Sequence, residues 1–175
     1  MRVAIVHDYL NQYGGAERVL EALHALYPDA PVYTSIYDAE AMPEHYRSWD
    51  IRTSFMQKLP AWRKHFRRYF MLYPTAFERF DFSEYDLIIS SSSAYAKGII
   101  PPPHALHICY CHTPMRFAWR TEDYVERESI SGLQGAILPF LLTYVRLWDA
   151  VSASRVDAFI ANSHEVKQRI KRFYG

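Results

Sequence analysis

Five short runs limit what this chain can fold into: RVAIV (2–6), PVYTSIY (31–37), DLIIS (86–90), LHICYC (106–111) and DAFIAN (157–162). Each is rich in β-branched, aromatic or other apolar residues, and in several the apolar positions are continuous rather than alternate. A strand with one wet face alternates. A strand apolar throughout is covered on both faces, as in the middle of a parallel sheet. Helical patterns lie between these runs. Val19, Leu20, Leu23, Leu26 and Tyr27 recur at helical spacing until Pro28 stops the helix. LLTYVRLWDAVSASR (141–155) carries Leu141, Tyr144 or Val145, and Trp148 on one stripe. Asn162, with Glu165 three residues on, has the spacing of a capping box and opens a last helix that ends near Gly175. Strands alternating with helices predict a single Rossmann-like α/β/α sandwich with a mainly parallel sheet.

The 175 residues suffice for one such domain with its own core, placed at 1–175. The chain has no internal repeat or low-complexity tract, and IIPPPHAL (99–106) reads as a stiff loop, not a linker. A net charge of +1 offers no global field for a nucleic-acid partner. The opening apolar run is too short for a signal-peptide core, and no stretch is long and uncharged enough to cross a bilayer. Cys109 and Cys111, two apart, share one face of a strand and read as small core side chains; without a second ligand pair they are a poor zinc signal. No Ser-His-Asp order, paired carboxylates or metal cluster emerges. Glu122, Asp123, Glu126 and Glu128 read as a solvated acidic patch.

Ligands of open parallel sheets bind beyond the carboxyl ends of the strands. Four such ends carry polar residues here: His7 and Asp8, Ser90 to Ser93, His112, and Asn162 with Ser163. Their shared placement predicts one common cleft. Gly14 and Gly15 stand where the first strand hands over to the first helix. They form either a plain turn or a backbone cradle for a phosphate at a helix N-terminus. They do not fit G-x-G-x-x-G, and no Walker lysine follows. His112 precedes Thr113 and Pro114, a stiff pair. Its ring or backbone either positions a ligand or serves as a structural hydrogen-bonder. Arg116 and Arg120 suit phosphate oxygens and a solvated helix face equally well.

In QKLPAWRKHFRRYFMLYP (57–74), helical spacing gathers Leu59, Trp62, Phe66, Tyr69, Phe70 and Tyr73 on one side and Arg63, Lys64, Arg67 and Arg68 beside them. No acidic residue occurs between Asp50 and Glu78. Such a helix either lies on an anionic membrane surface, through Trp62, Arg63, Lys64, Phe66, Arg67 and Arg68, or turns its aromatic stripe to the core.

Four ordered segments, HDYLNQYGGAERVLEAL, YDLIISSSSAYAKGI, HICYCHTPMRFAW and RVDAFIANSHEVKQRIKRFYG, resemble the N-terminal half of glycosyltransferase family 4. The nearest likeness is to bacterial mannosyltransferase-like enzymes of lipopolysaccharide and polysaccharide biosynthesis. The resemblance implies half of a GT-B architecture and a retaining, metal-independent transfer of a hexose, with mannose from a nucleotide sugar such as GDP-mannose as the first expectation. It places Gly14 and Gly15 beside the donor diphosphate and the acceptor, and His112 against the transferred sugar as the catalytic group. Asp8, Tyr9 and Arg116 fall in the acceptor site. The acceptor would be lipid-linked or a glycan, reached from the cytoplasmic face of the membrane. The C-terminal domain that holds the donor in this family, with its Glu-x7-Glu motif, is not in the sequence, so residues 1–175 alone are expected to transfer little or nothing. The alternative is a stand-alone, non-enzymatic module for a membrane surface or a glycolipid.

Overall fold

The computed structural model describes residues 1–119 and 133–175. Arg120 and the acidic residues Glu122, Asp123, Glu126 and Glu128 lie outside the described residues. Six strands form one parallel sheet: β1 (Val3–His7), β2 (Val32–Thr34), β3 (Ile51–Thr53), β4 (Leu87–Ser92), β5 (Leu106–Cys111) and β6 (Ala158–Ala161). Their spatial order is β3-β2-β1-β4-β5-β6, the doubly wound, Rossmann-like order. The chain therefore winds outward in one direction after β1 and in the other after β4. The switch point, where sheets of this order form their ligand crevice, falls between these two neighbouring strands.

The β1 run is apolar throughout because both its faces are covered. Ala4 and Val6 pack into one cluster with Tyr33, Ile88, Phe77 and Trp148. Ile5, on the opposite face, packs with Leu10, Leu20, Val32 and Tyr46. Helix α1 (Gly15–Leu26) seals this second side with Leu20 and ends two residues before Pro28. All five expected strands form. The sixth, β3, escapes the sequence pattern because Ile51–Thr53 holds one apolar residue and lies in no longer β-branched or aromatic run, whereas the equally short β2 does.

The segment 57–74 does not form the single amphipathic helix that its spacing predicts. Pro60 is followed by Ala61 in the left-handed region (φ 49°), which breaks the backbone. Beyond it the chain makes one helical turn, α2 (Trp62–His65), then a 3-10 turn over Phe66–Tyr69, and then α3 (Tyr73–Glu78). The aromatic residues face inward. Phe66 and Tyr73 are buried in the core, with Leu59, Trp62, Tyr69 and Phe70 packed against it. Phe66 thus leaves the set expected at a membrane surface. Arg63, Lys64, Arg67 and Arg68 remain exposed, Arg63 pairing with Asp38 at 3.0 Å.

Between β5 and β6 run the short α4 (Arg116–Trp119) and the long α5 (Leu133–Ala153), and α6 (His164–Tyr174) closes the chain. The buried stripe of α5 is Leu142, Val145, Trp148, Asp149 and Ser152, so Val145 faces in while Tyr144 faces out. The cap of α6 is Ser163, not Asn162: its side chain accepts from the Val166 amide at 3.2 Å.

One charged pair sits in this interior. Lys97, 1% exposed, extends from a 3-10 turn after β4 and meets Asp149, 0% exposed, at 2.8 Å. Its ammonium also donates to the Asp149 carbonyl (2.8 Å) and Ser152 Oγ (2.9 Å), and the rings of Trp148 and Tyr174 flank it. The Asp149 carboxylate further accepts from Trp119 Nε1 (2.7 Å) and from the Tyr174 hydroxyl (3.0 Å). The charges that burial strips of water are thereby given polar partners. The network joins α4, α5 and α6 to the loop after β4.

Candidate functional site

The crevice between β1 and β4 is built from residues at the strand ends. Asp8 follows β1 and is 3% exposed. Its Oδ2 accepts from the amides of Ser93 (2.6 Å) and Ala94 (3.0 Å), and its Oδ1 from those of Tyr95 and Ala96 (both 2.7 Å). These four amides belong to the turn that leaves β4. The carboxylate therefore fixes the loop on one side of the crevice to the strand on the other. Asp8 is one of the expected acceptor-binding groups, yet its carboxylate oxygens are engaged within the fold.

The serine run serves the strand more than the loop. β4 extends through Ser92, and all three strand serines are buried. Ser90 Oγ bonds His107 Nε2 at 2.9 Å, Ser92 Oγ accepts from the Lys97 amide at 3.3 Å, and Ser91 Oγ lies between two histidines. It is 3.1 Å from His7 Nδ1 and 2.8 Å from His112 Nε2. His7, at the end of β1, in turn places Nε2 3.4 Å from Glu17 Oε1. Glu17 reaches back along α1 so that Oε2 accepts from the Gly14 amide at 2.7 Å. Hydrogen bonds thus run without a gap from the glycine turn to His112: Gly14, Glu17, His7, Ser91, His112.

This chain of bonds sets the electrostatics. Burial pushes the Glu17 carboxyl up, but its hydrogen bond with His7 and those from the amides at the helix start outweigh it and hold Glu17 below the usual carboxylate range. Burial, with His7 nearby, lowers His112 below an ordinary histidine, which favours its neutral ring. His112 is half-buried, packs 5.1 Å from the Tyr110 ring and lies just past the end of β5. Tyr9 is half-buried against Phe66; burial and the charge of Asp8 push its phenol up to about 12, against the pull of Arg67 and Arg116. Arg67, from the basic segment, and Arg116, from α4, therefore both bear on this mouth of the crevice, and both are exposed.

Gly14 is the N-cap of α1 in extended backbone, and a Cβ there would stand 3.3 Å from Glu17 Oε2. A Cβ on Gly15 would meet nothing within 4 Å, so the turn is open on that side. The Gly14 amide is taken by Glu17, which narrows the phosphate-cradle reading to the next turn of backbone. The remaining expected strand end follows β6, which pairs with β5 so that Ala161 stands opposite Cys111. Asn162 and Ser163 line an open depression with Phe159, His164, Lys167 and Ile170. Sequence reasoning misses Glu17 and the His7–Ser91 contact. The available signal for Glu17 is its place three residues after Gly14, the spacing of a capping box.

Among the described residues, no group of three or more His, Cys, Asp or Glu side chains is placed to hold a metal ion, and no helix is long and apolar enough to cross a membrane. Cys109 and Cys111 are free thiols in the core; their mutual hydrogen bond and burial keep Cys111 protonated. No curated protein and no solved structure matches the chain. The family model for Glycosyltransferase Family 4 does match, over residues 13–175, a span that includes the glycine turn, the serine run and His112, and the chain belongs to that family.

Proposed function

We propose that this domain is the acceptor-side half of a retaining glycosyltransferase that moves a hexose, mannose from GDP-mannose, onto a lipid-linked or polysaccharide acceptor. The donor would be held by a second, C-terminal domain facing the crevice. In this reading His112 faces the transferred sugar, Gly15 and its neighbours approach the donor diphosphate, and Tyr9 and Arg116 shape the acceptor side. The observation that carries it is the placing of His112. It is a half-buried imidazole at a strand end beside the switch point, hydrogen-bonded to Ser91, and its burial favours the neutral form. A neutral imidazole can accept from or donate to a sugar hydroxyl without bringing a charge into the cleft. No metal takes part in this scheme, so transfer by the complete enzyme should survive a chelator.

The test is transfer by the two-domain enzyme. His112→Ala should lower the rate by about 100-fold or more, the range of a lost catalytic hydrogen-bonding or proton-transfer group. A rate near that of the parent would remove His112 from the site. Residues 1–175 alone should transfer little or nothing, and robust turnover by them would overturn the division of labour.

Exposed Arg63, Lys64, Arg67 and Arg68 favour docking at an anionic membrane surface on the cytoplasmic face, as a lipid-linked acceptor requires. Binding to anionic vesicles should fall with salt and with substitution of these four by Gln. Because Phe66 and Tyr73 are turned inward, the contact would be mainly electrostatic.

A further inference from the structure

Ser91 has one hydroxyl proton and two imidazoles within reach, 3.1 Å away at His7 Nδ1 and 2.8 Å away at His112 Nε2. It can donate to one ring and must accept from the other. The choice is made further back. Glu17 takes the Gly14 amide on Oε2 and faces His7 Nε2 with Oε1, and an ionised carboxylate only accepts. His7 Nε2 must therefore carry the proton. At about pH 8, where an imidazole is ordinarily neutral, Nδ1 is then a bare lone pair and Ser91 donates to it; a doubly protonated His7 would donate from both nitrogens and reverse the order. The Ser91 oxygen is left to accept, and the group it accepts from is His112 Nε2–H.

We infer that Glu17, His7 and Ser91 form a buried one-way relay that holds His112 in its Nε2–H tautomer and leaves Nδ1 as the acceptor of that ring. None of the three is assigned to the reaction by the function proposed above; each acts through His112 as a positioning residue. The inference bears on sugar chemistry only through that proposal, under which Nδ1 meets a hydroxyl of the sugar or acceptor as hydrogen-bond acceptor. The relay is well protected: His7, Glu17 and Ser91 are 2%, 3% and 0% exposed, so water does not compete for these protons. It also gives the carboxylate at the start of α1 a reason to be buried against a histidine rather than solvated as an ordinary helix cap.

The tautomers can be read directly by long-range proton–nitrogen correlation spectra of the 15N-labelled chain at about pH 8, where an imidazole is ordinarily neutral. In the parent chain His7 and His112 should both show the Nε2-protonated pattern. This measurement needs no variant to fold. Ser91→Ala should shift His112 toward a mixture of tautomers while His7 keeps its pattern through Glu17. Glu17→Gln, whose amide can donate or accept, should shift both rings. An Nδ1-protonated His112 in the parent, or a His112 pattern unmoved by Ser91→Ala, overturns the relay. Failure of the functional proposal would look different: the tautomers would be as stated, yet His112→Ala would leave transfer by the complete enzyme intact.

Discussion

Replacing Asp149 by Asn exchanges one carboxylate oxygen for an amide nitrogen in the most enclosed part of the molecule. The amide keeps the size of the carboxylate, and its oxygen can still accept from Trp119 or Tyr174. The opposite charge beside Lys97 is gone, however, and the amide nitrogen directs protons at groups that themselves donate. Lys97 has no alternative: at 1% exposure, and hemmed by Trp148 and Tyr174, its ammonium cannot reach water. Removing one member of a buried ion pair costs about 3–5 kcal/mol. The carbonyl of residue 149 and Ser152 Oγ still solvate the ammonium, which places the expected loss near the lower figure, about 3 kcal/mol. Against a typical total stability of about 5–15 kcal/mol, that is a fifth or more, and it corresponds to roughly a 10 °C fall in Tm. Urea denaturation at pH 7 measures it. The double variant Lys97→Met with Asp149→Leu should recover part of the loss, because an apolar pair of similar volume replaces a pair that offsets its own desolvation, while Trp119 Nε1 and the Tyr174 hydroxyl lose their acceptor. A loss below about 1 kcal/mol for Asp149→Asn, or a double variant no better than the single one, would refute the reasoning.

The packing sets three further expectations. Gly98→Ala would place a Cβ 2.2 Å from Trp148 Cη2, and that ring is pinned by its Nε1 bond to Glu78 at 2.8 Å; a loss of at least about 2 kcal/mol is expected in the same denaturation assay. Burial lowers His107 from the ordinary 6.5 to about 4. Between these values the unfolded chain takes up a proton that the folded one refuses, so the contribution is full above pH 6.5 and falls as pH drops toward 4. Stability should fall by about 2 kcal/mol from this group between about pH 7.5 and pH 5, and His107→Gln should lack that part of the slope. Phe66→Ala should cost about 3 kcal/mol of stability, as a core ring does, while leaving vesicle binding to the exposed cations, measured by sedimentation, nearly unchanged.

The sheet was legible because a doubly covered strand leaves a dense local mark. Ala4, Ile5 and Val6 are all apolar since each meets a core, and no tertiary knowledge is needed to read them. The cleft was legible for a related reason. Polar residues that interrupt apolar runs, such as His7 and His112, announce where the strands end. The unread features depend on partners remote in sequence. A lysine reads as a surface residue until Asp149, 52 positions away, is folded over it. The partners of Asp8 are equally remote: four amides from residues 93–96 close on its carboxylate. The aromatic segment misleads for a local reason: helical spacing is blind to one left-handed residue, Ala61, that resets the phase of everything after it. The polar strand ends predict a shared cleft by themselves, and the family resemblance, carried by short ordered motifs, adds the expected roles of its residues.

The grip of Asp8 on four successive amides has a mechanical consequence. The end of β1 and the turn after β4 move as one stiff body, since any relative displacement must lengthen several short charge-assisted bonds together. The floor of the crevice has little compliance. The opposite wall, at Gly15, has open space above its backbone and no side chain to wedge it. A bound ligand therefore meets a rigid base there, with room left for it above Gly15.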